Sequence, residues 1–167
     1  FDALGSSDFG AGSDVFNNSG RVQSFSGAAI FAGLENFSNT GRIEMRDNAV
    51  GDSLNVTGAF VGGGGGRLGV DANLLNNIAD VLFTGAATGS TVLDVNLTAG
   101  LTLNTVGTLV VDASAGTSST AITLAGGTVS NPFVHLNLLF DAPNNNFLLV
   151  GLPDQPFYSV VEPMIAS

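Results

Sequence analysis

One phrase recurs along this chain, and its spacing restricts the fold more than any other feature. It reads Phe16-Asn17-Asn18-Ser19-Gly20-Arg21-Val22 and returns 21 residues later as Phe37-Ser38-Asn39-Thr40-Gly41-Arg42-Ile43. A looser copy runs from Phe60 to Gly66-Arg67-Leu68, and a fourth from Phe83 to Gly89 and Val92. Beyond these only a Gly-x-apolar core persists, in Gly107-Thr108-Leu109 and Gly127-Thr128-Val129. From Val22 to Val129 five steps cover 107 residues, about 21 each. Such a period marks a solenoid, in which each repeat buries its apolar face only by stacking on its neighbours.

The segments between the glycines decide which solenoid. Leu54-Asn55-Val56-Thr57, Val92 to Leu97 and Val134 to Leu138 alternate apolar and polar residues with period two, which places one set on one face of a strand. They are rich in Val, Thr, Ile and Phe, which suit a pleated surface. No window carries a helical apolar stripe, and 23 glycines in 167 residues would make poor helices. The expectation is an all-β chain, a parallel β-helix with ~4.8 Å between rungs. A Gly/Asn-rich β-sandwich with accidental periodicity is the competing reading. In the β-helix, Phe16, Phe37, Phe60 and Phe83 would stack as an interior ladder. Each recurring Asn or Gly would occupy a corner needing positive φ.

Coils of about 21 residues are expected over residues 1–130, shortening toward the end. Residues 131–152 change character, with apolar runs Phe133 to Phe140 and Phe147 to Leu152 flanking the turn-forming Asp141-Ala142-Pro143-Asn144-Asn145-Asn146. This predicts an antiparallel hairpin cap, with Phe133, Leu136, Leu138, Phe140, Phe147 and Leu149 covering the last coil. An open solenoid end would expose core and unpaired strand edges. Residues 153–167 form a tail broken by Pro153, Pro156 and Pro163.

Composition narrows function. Four Arg, no Lys and 14 acids give a net charge of −10, which argues against nucleic acid as a partner. Cysteine is absent, which removes thiol chemistry and disulfides. A start at Phe1, without Met or signal peptide, is what a piece of a longer precursor would show. Gly10-Ala11-Gly12-Ser13-Asp14-Val15-Phe16 partly matches a calcium-binding nonapeptide, but one imperfect copy is too little for an oxygen cage. The five glycines Gly62 to Gly66 lead into Arg67-Leu68, not into the Lys-Ser/Thr of a phosphate loop, and read as a corner. Asp71 and Asp80 lie in a polar loop, with a turn as the default. Arg21 and Arg42 share one repeat position and would repel if stacked, unless acids such as Glu35 or Glu44 pair with them. The single His135 alternates with Val134, Leu136 and Leu138 and is expected to point outward without a catalytic role. No Gly-x-Ser-x-Gly elbow is present, and Trp and Lys are absent. No catalytic residue, metal ligand or cofactor is expected.

Several stretches resemble a known family. Asp14 to Gly20 and Leu34 to Gly41 look like passenger coils of bacterial type V autotransporters. Gly51 to Gly58 with Gly65-Gly66-Arg67-Leu68, and Ala79 to Gly85 with Gly89-Ser90-Thr91, are similar to the barrel-proximal part of those passengers. Asn146 to Gln155 resembles the junction before the linker helix and translocator barrel. The resemblance covers nearly the whole chain. It implies a right-handed β-helix exported across the outer membrane to the cell surface, with a stable C-terminal folding core and the precursor's own translocator barrel as partner. The expected role is a non-enzymatic stalk and folding core, as part of an adhesin. A self-assembling extracellular filament, with other copies of the chain as partners, is the alternative. A polysaccharide-active β-helix enzyme is a third reading.

Overall fold

The computed structural model describes residues 1–25, 27–126 and 129–154. All regular structure among them is β, in four coils of three strands and a closing hairpin. The first coil holds β1 (Ser6–Asp8), β2 (Val15–Asn18) and β3 (Arg21–Gln23). The second holds β4 (Ala28–Ala32), β5 (Asn36–Asn39) and β6 (Arg42–Glu44). The third holds β7 (Ser53–Val56), β8 (Ala59–Gly62) and β9 (Arg67–Asn73), after which β10 (Ile78–Ala79) folds back antiparallel on β9. The fourth holds β11 (Val81–Thr84), β12 (Ala87–Gly89) and β13 (Thr91–Leu97). Then follow β14 (Asn104–Asp112), β15 (Ile122–Leu124), β16 (Val134–Asp141) and β17 (Asn146–Pro153).

Equivalent strands of successive coils pair in parallel, which makes the chain a parallel β-helix with three sheets. The first sheet runs β1-β4-β7-β11-β14-β17-β16, the second β2-β5-β8-β12 and the third β3-β6-β9-β13-β15. Each sheet turns one face inward. Ala29, Leu54, Leu82 and Val111 align in the first sheet, and Val22, Ile43, Leu68 and Leu93 in the third, all at most 1% exposed. Burying such side chains contributes roughly 1.5–3 kcal/mol each before chain entropy is counted.

The second sheet carries the phenylalanine row. Phe16 pairs with Phe37 and Phe37 with Phe60, with ring centroids 5.2 and 5.8 Å apart and rings stacked. Phe83 does not join them. Ala87 occupies the position after Phe60, while Phe83 lies in the first sheet between Asn55 and Asp112. The cause is coil length. From the second sheet to the third the chain always takes a short path, Phe16 to Val22, Phe37 to Ile43 and Ala87 to Leu93. From the third sheet to the first the path lengthens at every coil, from Val22–Ala29 to Ile43–Leu54, Leu68–Leu82 and Leu93–Val111. Coils therefore grow toward the C-terminus, and a period of 21 holds only for the first. A Phe placed 23 residues after Phe60 falls four short of the ladder. Leu109 belongs to the first sheet and so does not repeat Val22, and Gly127 and Thr128 lie outside the described residues.

The corner after the second sheet also differs from expectation. Asn18 and Asn39 do not have positive φ; they are buried and bonded to each other, Asn18 Nδ2 donating to Asn39 Oδ1 at 2.8 Å and to the Arg42 carbonyl at 3.1 Å. Gly41 is needed for close approach, since a Cβ there would collide with the Gly20 carbonyl. Positive φ outside glycine falls instead on Asn48, Asn77 and Asn145.

Candidate functional site

Three constructions could carry function: a buried acid corner, a charged face and the terminal hairpin. The acid corner lies where the chain enters the first sheet. Asp80 precedes β11 and Asp52 precedes β7, so they stack in successive coils. Asp80 Oδ1 accepts the N–H groups of Gly51 and Asp52, both at 3.0 Å, and its Oδ2 accepts that of Asp71 at 2.7 Å. Asp52 Oδ1 accepts the Gly27 N–H at 2.6 Å. Asp71 Oδ2 accepts the N–H groups of Asp47 and Asn48 at 2.7 and 2.8 Å, and its Oδ1 meets the Asn96 amide. Asp71 and Asp80 are fully buried, brought together by the short β9–β10 pairing that the sequence did not signal. Burial pushes the Asp80 carboxyl up to about 7, against the pull of the Asp71 and Asp52 N–H groups, and the charges of Asp52 and Asp71 add to the rise. Burial also raises Asp52, whose Oδ2 has no hydrogen-bond partner among the described residues. Apart from that atom and the Asn96 contact, these oxygens accept backbone donors of the corner, which is structural chemistry. Among the described residues no group of three acids or His is arranged to hold a metal ion.

The charged face is the outside of the third sheet and holds all four arginines. Arg21, Arg42 and Arg67 occupy one row. For Arg42 and Arg67 the repulsion is relieved by a chain of alternating charge, while Arg21 lies over the Phe25 ring, 6.0 Å from its centroid. Glu44 Oε1 and Oε2 accept Arg46 Nε and Nη2 at 2.6 and 2.8 Å, and Oε2 also accepts Arg42 Nε at 2.6 Å. Arg42 Nη2 continues to Asp94 at 3.1 Å, and Arg67 grips both oxygens of Asp94 at 2.6 and 2.7 Å. Burial opposes the charge of Glu44, yet the hydrogen bonds from Arg46 and Arg42 outweigh it and hold its carboxyl at about 2. The Arg67 hydrogen bond likewise lowers Asp94. Glu44 thus meets the demand for a partner acid; Glu35 instead accepts the Asp14 N–H. Asp94 was missed because it lies 52 residues beyond Arg42.

The hairpin joins the first sheet through β17, which runs antiparallel to β14, with β16 outermost. Leu149 and Phe147 are at most 1% exposed and Leu136 is buried, while Leu138 and Phe140 are half-buried against the core. The Phe140 and Phe147 rings are 4.9 Å apart. Leu136, with Leu93 and Leu124, lines a cleft at the end of the third sheet, where β16 also approaches β15. Asn144 donates to the Asp141 carboxylate at 2.7 Å, and Asn145 has φ 60°, as the turn demands. Phe133 is not part of the apolar cover: it precedes β16 and is 61% exposed. His135 is half-buried rather than exposed, with Nδ1 enclosed and without a partner among the described residues. The tail from residue 155, with Pro156 and Pro163, lies outside the described residues.

No protein-family model matches the chain, and no curated protein matches it in sequence.

Proposed function

We propose that this chain is a non-enzymatic passenger segment of an autotransporter, a rigid cell-surface stalk whose C-terminal end acts as its folding core. The observation that carries this reading is the asymmetry of the two ends. At the C-terminal end an antiparallel hairpin extends the first sheet, approaches the third at β15 and covers the last coil with Leu136, Phe147 and Leu149. At the N-terminal end β1 and β2 are edge strands, and the core there is covered by Ala3 and by the rings of Phe1 and Phe9, which lie edge-on to Phe16 and Phe31. A stack closed at one end and open to coil addition at the other suits growth away from the cap.

The test is export of the chain ahead of a translocator barrel in living cells. Wild type should reach the surface as a protease-resistant fold. Leu149→Asp, at a fully buried cap position, should stall or be degraded, while Leu139→Ser, 51% exposed on the same hairpin, should export normally. Export of Leu149→Asp at wild-type level would defeat the folding-core role. Sedimentation of the purified chain separates the stalk from the filament: a monomer supports the stalk, and concentration-dependent growth of linear polymers supports the filament through the β1 and β2 edges.

A further inference from the structure

Phe83 is the one phenylalanine of the inner coils that leaves the core, and its surroundings on the outer face are chemically specific. Phe31, Phe37 and Phe60 are fully buried, whereas Phe83 is half-buried next to the inward Leu82. Its strand neighbours in register are Asn55 on one side and Asp112 on the other. Just past the ends of these strands come Thr57, Gly85 and Ser114, with the Ser114 N–H donating to the Gly85 carbonyl at 3.4 Å. Together these line a cleft of about 360 Å³, within the size range of small-ligand sites. Gly85 itself stacks closely on the preceding coil; a Cβ there would stand 2.7 Å from the Gly58 carbonyl oxygen.

From these residues we infer that the Phe83 cleft is a binding site for an uncharged oligosaccharide. The ring offers a flat apolar platform for the C–H face of a sugar. The groups around it match a hydroxyl edge, which needs donors and acceptors together. The Asn55 amide makes no hydrogen bond to any described residue, so it is free to donate and accept. The Asp112 carboxylate accepts; one oxygen lies 2.9 Å from the Asn146 amide nitrogen, which steadies it, and the other is uncommitted. Ser114 is exposed and adds a hydroxyl. Acidic sugars are disfavoured twice, by Asp112 at the cleft and by the net charge of −10. A peptide is a poorer match, because the cleft has one aromatic contact and no second apolar pocket for alternate side chains. This site stands apart from the stalk reading: a stalk with no sugar site remains a stalk.

The experiment is amide chemical-shift mapping of the whole chain with three neutral probes, cellohexaose, chitohexaose and maltohexaose. At least one probe should shift, saturably at millimolar concentration, the Asn55 side-chain amide and the Gly85 and Ser114 N–H signals. Phe83→Leu, which keeps apolar bulk but removes the aromatic face, should weaken binding by about tenfold, and Asn55→Ala should weaken it too, each with the remaining spectrum unchanged. Phe83→Leu is paired with Phe83→Ala so that loss of binding is separable from loss of fold. No response to any probe, a response centred elsewhere, or binding unaltered in Phe83→Leu would each overturn the assignment.

Discussion

The carboxylate of Asp80 reaches back one coil and accepts the backbone N–H of Asp52 at 3.0 Å, and Asp52 accepts that of Gly27 one coil further at 2.6 Å. The coils are thus joined at this corner by side chains as well as by strand pairing. That arrangement gives the fold an unusual dependence on pH. Asp80, moved by burial from 3.8 to about 7, holds its proton more tightly when folded than when unfolded. Protonation therefore favours the fold, and its contribution is complete below about 4 and is lost as pH rises through about 7. Glu44 acts in the opposite direction. Lowered from 4.5 to about 2, it contributes above its unfolded value and ceases to do so as pH falls through about 2. Stability measured by chemical denaturation should peak near about pH 4–5 and decline by a few kcal/mol toward pH 8. Asp80→Asn should be less stable at acid pH, because its amide would face the Asp71 N–H, and should show a flatter decline above it. Stability that rises steadily from about pH 5 to 8 would refute the account.

The phenylalanine row supplies a sharper contrast. Phe37 is fully buried between Phe16 and Phe60, so Phe37→Ala should cost about 3–5 kcal/mol. Phe83→Ala, on the outer face, should cost about 1 kcal/mol or less. Equal shifts in denaturation midpoint for the two variants would contradict the register found here.

Phe83 also shows which parts of the fold were legible in the sequence. The passage from the second sheet to the third has nearly constant length, so Phe16, Phe37, Gly20, Gly41, Arg21 and Arg42 recur and the solenoid is readable from them. The passage from the third sheet to the first grows at each coil, which breaks the period just where Phe83 stands. Alternation in Val134 to Leu138 and the Asp141–Asn146 turn made the hairpin visible locally. The acid corner was not visible, because Asp71 and Asp80 meet through a two-residue β10 and their remaining partners are backbone N–H groups of the preceding coil. Asp94 was hidden for the same reason: its arginines lie one and two coils away.

Charge alternation on the third sheet predicts an uneven response to substitution. Glu44 is 5% exposed and serves two arginines, so Glu44→Gln removes the carboxylate of Arg46 and leaves Arg42 only Asp94, and should cost about 1–3 kcal/mol. Arg67, with 44% of its side chain exposed, pairs only with Asp94 among the described residues, and Arg67→Gln should change stability little. Thermal unfolding of both variants at low and high salt checks this. The Arg67 effect should fade with salt and most of the Glu44 effect should persist.

The terminal hairpin should be the most stable part of the molecule. Inner coils have a neighbour on each side, but the first sheet would end at β14 with a bare edge and the last coil with a bare face. The β17 strand satisfies that edge over Asn104 to Asp112, and Phe147 and Leu149 cover the face. The outer edge at β16 is itself blunted, since the Leu138 N–H donates to the Asn137 side chain and the Val134 N–H to Asn131. The coils before Gly62 have no such closure, and their strands are only three to five residues long, against eight in β16 and β17. Hydrogen exchange should therefore be slowest in β14, β16 and β17 and fastest in β1 to β3. Leu149→Ala should cost about 2–5 kcal/mol, and Leu139→Ser almost nothing. A chain truncated after Asn131 should lose the cover, expose the β14 edge and aggregate. If the truncated chain stays monomeric and as stable as the whole, the hairpin is an appendage and the coils carry the fold by themselves.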